Sequence, residues 1–373
     1  MTKQISKIEK LVAELCPNGV EFKELGEVCE IADNKRKPVK SSLRVAGKTP
    51  YYGANNVQDY VESFTHDGEY VLLAEDGSAN LENYSVQYAT GKFWANNHVH
   101  VLRGLDEVLN RFLFHWFRNM NFIPFLTGGT RAKLTKAKML EIKIPIPPLA
   151  VQEEIVKVLD SFTELEAELE AELEARKKQY EHYRSELLTF GDGVRWTTLG
   201  EIFEMFAGRQ ISAVYISDHK TENYPFPCYG GNGIRGFVAM KSHDGEYLLI
   251  GRQGALCGNV KRAKGKFYAT EHAVVVNSNG DVNIDWAFHM LTLMNLNQYA
   301  TKSAQPGLAV GRLNELRIPL PPLSEQKRIV VILDKFDALV NDISIGLPAE
   351  LSARRSQYEY YRGKLLSFKE YAN

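Results

Sequence analysis

The chain is written twice. Residues 19–28 (GVEFKELGEV) return as residues 193–202 (GVRWTTLGEI), and residues 66–73 (HDGEYVLL) return as residues 243–250 (HDGEYLLI). Gly91-Lys92-Phe93-Trp94 matches Gly265-Lys266-Phe267-Tyr268, and His98 matches His272. Residues 144–149 (IPIPPL) match residues 318–323 (IPLPPL), each run followed by Gln152 or Gln326, and residues 179–184 (QYEHYR) match residues 357–362 (QYEYYR). Repetition of motifs in the same order over most of a chain means that one structural unit is built twice, with loops free to vary between fixed elements. Residues 14–20, before the first copy, also resemble residues 188–194, before the second. The N-terminal segment therefore reads as the end of a spacer helix that joins the C-terminal one, closing a pseudo-two-fold arrangement.

Each copy begins with short runs rich in Val, Tyr and Phe, such as Tyr70-Val71-Leu72-Leu73, bounded by Gly, Pro and Asn turns. Such runs read as strands, and helix is expected around residues 109–120 and 286–296. A Pro-Pro pair then ends the β region and pre-organises a helix start. Residues 152–188 hold no Gly or Pro, and Ile155, Val158, Leu159, Phe162, Leu165, Leu169 and Leu173 recur at spacings of three and four. That stripe wants a partner helix, and the second copy supplies one through Ile329, Ile332, Phe336 and Leu339, then Tyr358, Tyr361 and Leu365. Gly346 and Pro348 predict a break in this second helix. The expected class is α+β, with a helix over 1–16, mixed α/β domains over 17–149 and 191–323, and spacer helices over 150–190 and 324–373.

A net charge of −1 conceals local asymmetry. Residues 35–48 hold six basic side chains and no acidic one, and residues 252–266 hold five and none. Residues 150–190 carry 5 basic against 11 acidic. Basic stretches on β-containing domains suit contact with phosphates. Cys16, Cys29, Cys228 and Cys257 form no Cys-x-x-Cys pair, so neither a zinc site nor a disulfide framework is expected. The N-terminus lacks a signal-peptide pattern and no apolar run approaches a membrane span, which places the chain in the cytoplasm.

Catalytic signatures are missing or out of context. Gly231, Gly233 and Gly236 form a Gly-x-Gly-x-x-Gly, but the first copy has Ala54, Asn55 and Asn56 there, and a dinucleotide site needs a strand before and a helix after. Glu141-Ile142-Lys143 lacks the acidic partner of a nuclease core. His98-x-His100 could suggest a metal site, but only His98 has a repeat partner, so strand packing is the expectation. No phosphate-cradling Gly-x-x-x-x-Gly-Lys-Ser/Thr occurs, nor the Asn-Pro-Pro-aromatic motif of amino-methylating enzymes.

Binding remains. Basic and amide side chains fall in turn-like stretches at corresponding places of both copies. The first offers Lys35, Arg36, Lys37, Asn55, Asn56, Thr130, Arg131 and Lys133. The second offers Arg209, Gln210, Asn232, Arg235, Arg252, Gln253, Lys302, Gln305 and Arg312. Arg, Asn and Gln make bidentate contacts with guanine and adenine edges, and Lys suits phosphates.

With the Leu-Gly-Glu openings, Tyr-Tyr-Gly-Ala-Asn at residues 51–55, Asp-Gly-Glu-Tyr, the Ile-Pro-x-Pro-Pro-Leu runs and their duplicated order, the chain resembles the specificity subunit of type I restriction-modification systems over nearly its whole length. The resemblance implies two target-recognition domains, each reading half of a split asymmetric DNA site, and two helices packed as an antiparallel coiled coil that sets the gap. It also implies two methyltransferase subunits docked on the helical regions, with S-adenosylmethionine bound there, and motor-nuclease subunits using ATP and Mg. This chain would hold no cofactor or metal of its own. A coiled-coil scaffold and a fragment of a fused restriction-methylation enzyme are the alternatives. A helix of about 37 residues is roughly 55 Å long, more than one turn of B-DNA.

Overall fold

The computed structural model describes residues 2–129, 132–254, 256–280, 282–302 and 306–371. The chain divides into two compact units, Met1–Glu170 with Leu351–Asn373, and Ala171–Glu350.

Unit 1 opens with α1 (Thr2–Leu15), β1 (Glu21–Glu24), the one-turn α2 (Leu25–Val28) and β2 (Cys29–Ile31). It continues through β3 (Ala46–Gly53), β4 (Asn56–Val61), β5 (His66–Asp67), β6 (Tyr70–Ala74), β7 (Val86–Ala89), β8 (Lys92–Ala95) and β9 (Val99–Gly104). After these come α3 (Asn110–Asn119), α4 (Lys136–Leu140), β10 (Lys143–Ile146) and the start of α5 (Leu149–Leu187). The sheets run β2-β9-β6-β7 and β4-β3-β8-β5, with β1 paired to β10. All five residues of β6 are buried. Val71 and Leu73 join a cluster with Phe112, Leu113 and Phe117 of α3, while Tyr70 and Leu72 join Phe93, Val99 and Val101. A strand covered on both faces must be apolar throughout, which is why the run shows no alternation.

Unit 2 repeats the plan with β11 (Arg195–Thr198), α6 (Leu199–Ile202), β12 (Phe203–Ala207), β13 (Phe226–Gly230), β14 (Gly233–Val238), β15 (His243–Gly251), β16 (Val260–Ala269) and β17 (Ala273–Ser278). Next are α7 (Ile284–Leu293), α8 (Val310–Asn314), β18 (Arg317–Leu320), α9 (Leu323–Asn341) and α10 (Leu347–Leu365), whose residues from 351 onward belong to unit 1. Here the single ten-residue β16 pairs with both β15 and β13, giving one six-stranded sheet, β12-β17-β15-β16-β13-β14. The repeated Leu-Gly-Glu opening is a one-turn helix with a reciprocal cap: Glu27 accepts from Glu24 N–H at 3.1 Å and Glu201 from Thr198 N–H at 3.0 Å. Such a capping box satisfies donors that the short helix cannot.

The long helices join each unit antiparallel. In unit 1, Phe162 of α5 packs against Tyr358 and Tyr361 of α10, and Arg355 reaches back to Glu166 at 2.6 Å and to Glu170. In unit 2, Tyr180 and Tyr183 of α5 stack on Phe336 of α9. At 39 residues α5 is about 58 Å long. The expected break falls between α9 and α10. A Cβ on Gly346 would stand 2.5 Å from Ala338 O, so only glycine allows that close turn, and Pro348 occupies the first turn of α10, where a missing N–H costs nothing. Helix α1 places Ile8 in the same buried cluster as Tyr358, Leu365 and Leu366, and Glu9 pairs with Lys364 at 2.7 Å.

Two repeated devices fasten domain to helices within each unit. Gln152, fully buried, accepts from Leu109 N–H and donates to Glu107 O and Pro147 O; Gln326 accepts from Asn283 N–H and donates to Pro321 O. In unit 1, His115 of α3 lies 2.7 Å from Asp160 of α5 and 3.3 Å from the Tyr358 hydroxyl of α10. In unit 2, His289 of α7 lies 2.8 Å from Asp334 of α9 and 3.2 Å from the Tyr180 hydroxyl of α5. Burial lowers the proton affinity of both histidines, outweighing the nearby carboxylates. All four cysteines are buried thiols, and burial pushes Cys29 up to about 12. Among the described residues, no helix is long and apolar enough to cross a membrane.

Candidate nucleic-acid interface

The ends of β6 and β15 organise the loops. In unit 1, Glu75 N–H donates to His98 O and Leu134 N–H to Glu75 O, both at 2.8 Å, and Asp76 forms an antiparallel bridge with Lys133. In unit 2, Arg252 N–H donates to His272 O and Leu308 N–H to Arg252 O, both at 2.8 Å, and Gln253 bridges Gly307. Two further loops close alike, Thr127 N–H on Lys133 O and Thr301 N–H on Gly307 O, each at 2.9 Å. One backbone frame is therefore built twice.

The side chains mounted on it differ. Glu75 accepts from Arg36 at 2.6 Å and Lys133 at 2.7 Å. Burial alone would raise its carboxyl, but the hydrogen bonds from Lys133 and Arg36 outweigh this and hold it below the usual carboxylate range. The adjoining Asp33 is also lowered. Burial opposes ionisation, but His100, the Val101 N–H and Arg36 prevail. Arg252 stands in the place of Glu75 and donates to Glu271 O at 3.4 Å. One residue on, His98 Nδ1 lies 2.5 Å from Asp76 Oδ1, and His272 Nδ1 lies 2.9 Å from Gln253 Oε1. In unit 1 these groups rim a groove of about 770 Å³ lined by Asn55, Gln58, Asp76, Ser78, His98 and Lys133.

The candidates read from the sequence distribute around this frame. Arg36 is largely buried, with its guanidinium committed to Glu75, Asp33 and Val99 O, so it holds the turn from inside. Lys35 and Lys37 are exposed on either side of it, and Lys37 borders a separate apolar cleft of about 570 Å³ with Leu43, Tyr51 and Trp94. Asn55 spends both ends on the neighbouring loop, donating to Gly77 O and accepting from Ala79 N–H, each at 2.7 Å. Asn56 accepts from Val57 N–H. In unit 2, Asn232 accepts from Asn259, and Arg235 is exposed on the β13–β14 hairpin. Arg209 and Gln210 are exposed after β12, with Arg209 N–H donating to Ala269 O and Gln210 O accepting from the Tyr268 hydroxyl. Lys302 is exposed in the loop that closes on Thr301, and Arg312 is exposed on α8, which packs against α6 and β12. Thr130, Arg131 and Gln305 lie outside the described residues. The frame thus gathers Asn55 and Lys133 in one unit and Arg252 and Gln253 in the other.

Residues 98 and 100 do not share the strand-packing role that their spacing suggests. His100 is buried between Asp33 and Leu134 O, whereas His98 stands exposed in the turn before β9 and meets Asp76. An acid at position 76 is not a residue type that suits phosphates, and the sequence signal that points to it is the repeated His98 and His272. Among the described residues no group of three or more His, Cys, Asp or Glu is placed to hold a metal.

Residues 17–175 and 193–353 each match the type I restriction modification DNA specificity domain. The chain belongs to that family and carries its domain twice. It is 45% identical over 381 residues, covering 94% of this chain and 96% of the other, to a putative type I restriction enzyme specificity subunit of Haemophilus influenzae. A second relative, the EcoprrI specificity subunit of Escherichia coli, is 62% identical over 208 residues, 54% of this chain and 52% of that one. The crystal structure of a type I restriction-modification S subunit from M. genitalium superposes with a TM-score of 0.68 over 93% of this chain and 96% of that chain at 17% identity, a likeness of fold.

Proposed function

We propose that the chain directs a type I restriction-modification enzyme to a split, asymmetric DNA site. The domain over 17–149 reads one half, the domain over 191–323 reads the other, and the spacer helices set the unread gap. The observation that carries this is the duplicated loop frame with unlike side chains: one backbone, mounted twice, offering Asp76 and Lys133 in one copy and Arg252 and Gln253 in the other. A scaffold would gain nothing from diverging there, whereas two readers of different sequences must.

The chain itself performs no chemistry in this reading. Two methyltransferase subunits dock on the helical regions with S-adenosylmethionine, and motor-nuclease subunits bring ATP and Mg, all in the cytoplasm. Adenine methylation is mapped genome-wide in a host expressing this chain with its cognate methyltransferase subunit. Two short defined halves around a fixed gap, dependent on this chain, are expected; methylation without a gap, or unchanged when the chain is omitted, refutes the proposal.

A further inference from the structure

We infer that Asp76 and Gln253 are the equivalent base-reading positions of the two copies, and that they meet DNA with opposite hydrogen-bonding polarity. Asp76 selects an amino base, cytosine or adenine, on the strand it faces. Gln253 selects a base that presents an acceptor, guanine, thymine or adenine through N7, and rejects cytosine. This rests on the proposed DNA-reading function and deepens it.

The backbone frame makes the two positions comparable. Each follows the residue whose N–H is bound by the carbonyl of His98 or His272, and each bridges the following loop at Lys133 or Gly307. The histidine then pins one atom in each case. Carboxylate and amide oxygens only accept, so Nδ1–H donates to Asp76 Oδ1 and to Gln253 Oε1. The atoms left over differ in kind. Asp76 keeps a second oxygen, an acceptor, on a side chain 40% exposed at the groove rim. Gln253, also exposed, keeps its amide NH2, a donor.

In the major groove an acceptor is answered by cytosine N4 or adenine N6, and a donor by guanine O6 or N7, thymine O4 or adenine N7, so a lone donor excludes cytosine alone. A carboxylate near phosphates is repelled unless it finds such a donor, so an acid that keeps an open acceptor oxygen at this rim is selective rather than adhesive. The neighbouring acid does not compete, because Arg36 and Lys133 close Glu75 off. Arg252, in the corresponding place, reinforces the donor character of the second copy.

The test uses the complete methyltransferase complex and maps methylated sites for the wild type, Asp76→Asn and Gln253→Glu. Both substitutions preserve shape and affect exposed side chains, and thermal melting of each complex checks that it is folded. Asp76→Asn is expected to relax one amino-base position of one half-site, with the gap and the other half unchanged. Gln253→Glu is expected to admit cytosine at one position of the other half from which the wild type excludes it. Duplexes carrying each base pair at those positions provide a second readout, in which roughly tenfold discrimination falls to near parity. Unaltered preferences at every position, or a change at a position of the wrong polarity, overturn the inference while a split wild-type motif leaves the DNA-reading function standing. A wild-type complex with no split motif removes that function and the inference with it.

Discussion

Replacing Gln152 by Ala tests how the domain of unit 1 is tied to its helix. The side chain is fully buried and makes three hydrogen bonds, all to backbone groups: Leu109 N–H at 2.9 Å, Glu107 O at 2.8 Å and Pro147 O at 2.8 Å. Truncation strands all three. A buried polar group left unpaired costs about 1–3 kcal/mol, and two of these contacts lie at the edge of the buried region, where water can enter and reduce the penalty. The expected loss is therefore about 3–5 kcal/mol, a large part of the ~5–15 kcal/mol by which a folded domain is stable. Among the described residues Gln326 in unit 2 makes two such bonds, to Asn283 N–H and Pro321 O, so Gln326→Ala should lose at least about 2–3 kcal/mol. Scanning calorimetry of both variants should show a transition lowered by roughly 2–4 °C per kcal/mol. A loss below about 1 kcal/mol for Gln152→Ala would refute the assignment of that glutamine as a three-way brace.

The buried His115 and His289 have lowered proton affinity, so the fold resists their protonation while the unfolded chain accepts it. Their contribution is complete above about pH 6.5 and is lost as pH falls through and below that value, by up to ~1.4 kcal/mol per pH unit for each histidine; urea unfolding that is flat between pH 7.5 and 5.5 would contradict this. Gly346→Ala forces a methyl against three backbone carbonyls, the nearest at 2.5 Å, and should cost about 1–3 kcal/mol, whereas Gly363→Ala, in α10 with nothing near its Cβ, should gain up to ~1 kcal/mol; chemical denaturation in which the two change stability alike would disprove the difference. Inserting one further Leu-Glu-Ala-Glu unit into α5 adds about 6 Å of helix, and methylation mapping should show a longer gap with both half-sites intact; an altered half-site would show that the helix does more than space.

Order along the chain was legible without coordinates. Duplication, apolar strands such as Tyr70-Val71-Leu72-Leu73, the helical stripe from Ile155 to Leu173 and the break at Gly346 are local or periodic features, and the physics that produces them acts over neighbouring residues. Pairings across sequence were not legible. Only the packed structure brings Asp76 to His98 and Gln253 to His272, turns Arg36 inward onto Glu75, and unites α3, α5 and α10 at His115, Asp160 and Tyr358. Those contacts depend on strand register and on which helical faces meet, and both are settled by the burial of whole clusters rather than by any one segment. The sequence alone thus determined that one unit is built twice around long helices, while tertiary packing decided which side chains brace the frame and which stay exposed at its rim.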